Sequence, residues 1–197
     1  MRAVWVFAIA ALIVSAAVWM TDSWLVELLS LGSLGREGAV SQLPISIIGY
    51  ALVHPWAHFL LSNLFTILII GFFVEPRLGS RVTGVLIAVG IVSTAIFWLL
   101  FGNAGFLVGS SGVCHALVGA LIGLWRRLGS GIPLAERIVI GVIVAWTLLE
   151  VIGILLSPGS TWATLPGIAV GYLIVIRLVP QGLQRGKAPP EATATGR

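Results

Sequence analysis

Gly109-Ser110-Ser111-Gly112 opens an otherwise apolar run, FLVGSSGVCHALVGALIG, residues 106–123. A serine at the start of a helix meets backbone N–H groups that have no intrahelical acceptor, and the positive end of the helix dipole. Such donors can hold an oxyanion, which acyl transfer requires, so Ser111 is a candidate nucleophile. Gly109 and Gly112 permit a tight entry and a close backbone approach. Alone the pattern is weak, because any helix start with an N-cap serine and two glycines matches it. His115 follows Ser111 by one turn on the same helix face, and helical side chains lean toward the N-terminus, here toward the hydroxyl. It is the candidate base. The plainer alternative is a histidine packed in the interior, since reach alone does not make a base.

The elements that position these residues are set by composition. The chain has 197 residues, 58% of them apolar and 9% charged, with a mean hydropathy of +1.09. No soluble domain of this size buries so much apolar surface, so the sequence predicts an all-α polytopic membrane protein. Six apolar segments can be marked, at about 3–20, 46–73, 82–101, 106–125, 138–156 and 161–179. Residues 1–180 read as a single membrane domain, and 181–197, polar and carrying Pro189-Pro190, as a disordered tail. With the N-terminus in the cytoplasm, ten of the eleven basic residues fall inside and only Arg36 outside. This positive-inside bias places both termini in the cytoplasm and the protein in the cell membrane. The pI near 10.2 follows from the same anchors and reads as contact with anionic lipid, not with nucleic acid. The first segment offers small residues at Ser15-Ala16-Ala17, as a signal peptide does, but its apolar run is too long and ends in Trp19-Met20. The single Cys114 cannot form an internal disulfide.

Charged residues at the cytoplasmic edge let depth be counted at about 1.5 Å per helical residue. Ser111 lies about 22 Å from the edge marked by Arg126, Thr164 about 20 Å from Arg177, Glu150 about 20 Å from Arg137 and Asn63 about 18 Å from Glu75. Four polar residues from four segments thus share one layer. Interhelical hydrogen bonding explains Ser, Thr and Asn individually, at roughly 0.6 kcal/mol each. Glu150 is harder to dismiss, because a carboxylate at that depth is neutral or paired. From Ser111 to Trp125 the fourth helix is too short to cross the core. The backbone before it, Gly102-Asn103-Ala104-Gly105 and Gly109, must therefore line a cavity or lie buried in protein.

These motifs resemble the rhomboid family of intramembrane serine proteases. Gly109-Ser110-Ser111-Gly112 is similar to its G-x-S-G, and Glu75-Pro76-Arg77-Leu78-Gly79 to its E-x-x-x-G turn. His54 and Asn63 match the ends of its H-x4-H-x3-N stretch, and Gly167 and Gly171 its glycine ladder on helix six. The resemblance spans about residues 46–175 and implies a six-helix bundle. It implies Ser111 as nucleophile, Asn63 and the Ser111 N–H as oxyanion donors, and membrane-protein clients whose transmembrane helices enter laterally. It also implies a helix-six histidine as base, and there the chain departs: Ala163-Thr164-Leu165-Pro166-Gly167 puts Thr164 at that position, and no histidine follows His115. Threonine cannot accept the serine proton near neutral pH. The second helix-two histidine falls on Phe59, with His58 one residue early. His115 stands where the family carries an aromatic residue. His54, His58, Glu150 and Thr164 are therefore accessory candidates.

Other chemistries fit less well. A metalloprotease H-E-x-x-H is missing, the depth count sets His54 and His58 too far from His115 to share an ion, and the only aspartate is Asp22. No metal or cofactor is implied, and the oligomeric state is not set by the sequence. Without the helix-six histidine, two expectations stand: an endopeptidase using Ser111 and His115, or a pseudoprotease that binds client helices without cutting them.

Overall fold

A computed structural model describes residues 1–21, 24–32, 43–102, 105–156 and 160–178. The tail from 181, the loop residues Asp22 and Arg36, and Asn103-Ala104 lie outside the described residues. The described chain is mostly helical: α1 (Arg2–Trp19), α2 (Trp24–Leu29), α3 (Leu43–Gly49), α4 (Ala57–Phe101), α5 (Ser111–Leu128), α6 (Leu134–Leu156) and α7 (Pro166–Leu178). Among the described residues, α1 and the 45-residue α4 are long and apolar enough to cross a membrane.

The second and third apolar segments are the two legs of α4. Pro76 cannot donate its backbone nitrogen, and Gly79 leaves the helical region at φ 79°, ψ 158°, a conformation that glycine alone adopts cheaply. Glu75, beside this break, is buried. Its carboxylate accepts the Ala3 N–H at 3.0 Å, the Val4 N–H at 3.2 Å and the Ser80 hydroxyl at 2.6 Å. The E-x-x-x-G turn thus caps the first turn of α1, where orphan donors and the helix dipole favour an anion.

The expected 46–73 helix begins later than its hydropathy suggests. Residues 43–49 form α3, Tyr50–Leu52 a 3-10 turn, and only from Ala57 does α4 run on. Pro55 disfavours helical backbone at His54, and Val53 and Trp56 are extended. Likewise Phe106–Leu107 is a short strand (β2) pairing with Leu31–Gly32 (β1), and the helix starts at Ser111. A turn at Ser160–Thr164 precedes α7.

α5 is the central helix, buried along almost its whole length and flanked by α4 and α7. The α5–α7 contact is backbone against backbone: a Cβ built on Gly171 would fall 2.0 Å from the Ala116 carbonyl oxygen. Small residues at such a seam let membrane helices approach closely. Three contacts gather the basic residues at one end: Arg126 to the Tyr172 hydroxyl, Arg127 to the Ile176 carbonyl, and Arg77 to Glu136 at the start of α6. α6 is tied less closely, packing mainly on α5 and the 160–164 turn.

Replacing Glu75 by Ala leaves buried α1 donors unpaired, at roughly 1–3 kcal/mol each. The apparent melting midpoint of the detergent-solubilised protein is expected to fall clearly in Glu75→Ala and less in Glu75→Gln, which keeps an acceptor oxygen.

Candidate functional site

α5 starts where the chain arrives through Gly109, whose φ of 98° suits a residue without a Cβ. The Gly109 N–H donates to the Tyr50 carbonyl at 2.8 Å. Ser110 is the N-cap, but its side chain makes no cap hydrogen bond. Its hydroxyl turns instead to His54 Nε2, 3.1 Å away. The first-turn N–H groups of α5 are thus left without the usual side-chain acceptor.

His54 is the hub of a buried polar cluster. Ser15 Oγ donates to the Leu52 carbonyl at 3.0 Å, so it accepts the His54 Nδ1–H at 3.3 Å. That assigns the proton to Nδ1 and leaves Nε2 as acceptor. Three donors converge on Nε2: the Ser110 hydroxyl, the Ser110 N–H at 3.2 Å and the Asn63 amide at 3.1 Å. Trp19 Nε1–H holds the His54 carbonyl at 2.9 Å. The Ser110–His54 polarity is that of a nucleophile and its base, but Ser110 is 0% exposed and is not on the wall of the cavity described next. With one lone pair shared by three donors, His54 is a structural clamp.

Ser111 differs from Ser110. It is partly exposed and lies on the wall of a cavity of about 850 Å³ between the first leg of α4, α5 and α6. Asn63, Cys114, His115, Trp146 and Glu150 line the same space. Asn63 spends one amide N–H on His54, and its Oδ1 faces the Cys114 thiol at 3.7 Å, which leaves its second N–H available. His115 is 2% exposed, and neither ring nitrogen has a hydrogen-bond partner among the described residues. The Ser111 carbonyl approaches its ring, but no hydrogen bond between the Ser111 hydroxyl and His115 is formed. Gly112 faces Thr94 and the Gly90 carbonyl, where any Cβ would overlap.

The layer of polar residues expected from depth counting is brought together only in part. Ser111, Asn63 and Glu150 share the cavity, whereas Thr164 is buried in the turn before α7 and is absent from the cavity wall. The height assigned to His54 needs correction. Counting 1.5 Å per residue through 54–56 treats extended backbone as helix, and the real chain folds His54 back onto Ser110. His58 is exposed and stacks on Phe59 at 4.5 Å, away from the cavity. Sequence reading missed the Ser15–His54–Ser110 cluster. Its one available signal was the second serine of the Gly-Ser-Ser-Gly turn. Among the described residues no three His, Cys, Asp or Glu side chains converge where an ion could be held.

Two helices long and apolar enough to cross a membrane, with a cavity between apolar helices, are the build of an integral membrane protein. The Rhomboid domain model matches residues 42–181, well over half of the chain. The chain belongs to the rhomboid family and is an integral membrane protein. No curated protein matches it.

The clamp predicts a graded response. Ser110→Ala removes one hydrogen bond and is expected to cost about 0.5–1.5 kcal/mol. His54→Ala strands the Ser110 and Asn63 donors together, and thermal unfolding in detergent should show a clearly larger loss.

Proposed function

We propose that this protein is a rhomboid-like serine endopeptidase that admits a client transmembrane helix to the cavity and cuts in or near it. The observation that carries this reading is a partly exposed Ser111, at an uncapped helix start, sharing a cavity wall with a buried histidine whose nitrogens are unpartnered. Ser111 Oγ attacks the scissile carbonyl carbon, and His115 takes the hydroxyl proton. The carbonyl oxygen becomes an oxyanion facing the free Asn63 amide N–H and the N–H of Ser111 at the start of α5. His115 returns the proton to the leaving amine as the C–N bond breaks, and water then releases the acyl group from Ser111 by the same route in reverse. The missing Ser111–His115 hydrogen bond is compatible with this, because catalytic hydrogen bonds often tighten only in the substrate complex.

That missing bond, with Thr164 in place of the family's histidine, also favours a second reading: a pseudoprotease that binds client helices without cleavage. In both readings the end bearing Arg77, Arg126, Arg127, Arg137 and Arg177 faces the cytoplasm of a cell membrane, with both termini on that side. The gathering of these residues at one end of the fold supports this orientation.

Labelling with a fluorophosphonate separates the two. The endopeptidase reading expects labelling of the wild type and of Ser110→Ala, none of Ser111→Ala, and a rate in His115→Ala reduced by about 10²-fold or more. Labelling of Ser111 that is unchanged in His115→Ala would remove His115 from the mechanism. A wild type that does not label selects the binding reading.

A further inference from the structure

Glu150 belongs to no step of the chemistry above, yet it sits on the cavity wall. Among the described residues it makes no ion pair and no hydrogen bond. No arginine or lysine among the described residues lines that space. α6 is continuous from Leu134 to Leu156, so the count from Arg137 holds and sets Glu150 about 20 Å along the helix from the basic end. A carboxylate at that depth is expensive unless it is protonated or paired.

The cavity also has the size of a helix segment. An α-helix about 10–12 Å across rises 5.4 Å per turn, so one turn fills roughly 400–600 Å³, and 850 Å³ takes between one and two turns. The lining is mostly apolar, with polar side chains at Ser62, Asn63, Thr66, Ser111, His115, Thr147 and Glu150, of which only Glu150 is acidic.

We propose that Glu150 selects client transmembrane helices carrying a lysine or arginine at its depth, pairing with that cation inside the cavity. This rests on the client-binding cavity of the preceding reading and adds the chemistry that chooses the client. A purely apolar helix gains little by leaving lipid for an apolar groove, because the lipid tails are equally apolar. A helix carrying one unpaired cation gains a partner for it, and Glu150 gains one too.

The test uses the full chain in liposomes, with a photo-crosslinking amino acid replacing Val142 on the cavity wall. The clients are single-span Leu/Ala helices with Lys, Gln, Leu or Glu at the matched depth. The Lys client is expected to crosslink at least tenfold more than the Leu client. Glu150→Gln should bring Lys down to the Gln level, and Glu150→Lys should reverse the preference toward a Glu-bearing client, with both variants melting near the wild type. Equal crosslinking of Lys, Gln and Leu clients, or a Lys preference that survives in Glu150→Gln, overturns the proposal. Lys clients captured through Glu150 yet left intact would support it while defeating the endopeptidase reading. Cleavage of all clients at equal rates, dependent on Ser111, would do the reverse.

Discussion

One imidazole organises the site. His54 holds Ser110 by its hydroxyl and its N–H, holds the Asn63 amide, and is itself held by Ser15 and Trp19 of α1. Drawing the Ser110 side chain away from its capping position leaves the Ser111 and Gly112 N–H groups without a side-chain acceptor, while the Ser110 carbonyl accepts from Val113 and Cys114. A helix beginning inside a membrane protein with bare N–H groups would be costly if sealed in apolar packing. It is tolerable beside a cavity, and the cavity lies there. The clamp, the uncapped helix and the open space are parts of one arrangement.

That arrangement divides the molecule into a fixed side and a looser one. α5 and α7 meet backbone to backbone, and α1 is fastened to α4 by Glu75 at one end and to the His54 loop by Ser15 and Trp19 at the other. Ser111, His115 and Asn63 all stand on this fixed side. Glu150 and Trp146 stand on α6, which touches the rest more lightly. On the proposed reading, the groups that would react have rigid support, and the wall that would admit a helix has less of it.

Much of this was legible in the sequence. The helical membrane architecture follows from apolar segment lengths, the α4 break from Pro76 and Gly79, and the start of α5 from its serine and glycines. The shared depth of Ser111, Asn63 and Glu150 followed from helical rise, because each lies on a helix continuous with its charged marker. His54 escaped that reckoning because Pro55 forces extended backbone before α4, and a linear count fails across a turn. The hydrogen-bonded cluster escaped for a different reason: Ser15, His54 and Ser110 come from three distant segments, and no local pattern says which serine a histidine will choose. Ser110 and Ser111 are neighbours on the chain, yet one is sealed inside and the other faces open space.

The cavity's mixed lining has one more consequence. Ser62, Asn63, Ser111 and Glu150 give it a face that water can wet, while Phe65, Ile69, Val142 and Trp146 give it one suited to acyl chains. On the proposed reading an incoming helix exchanges with both, so its equilibrium shifts with lipid chain length and unsaturation as well as with the sequence of the segment. The membrane itself then competes for part of the pocket.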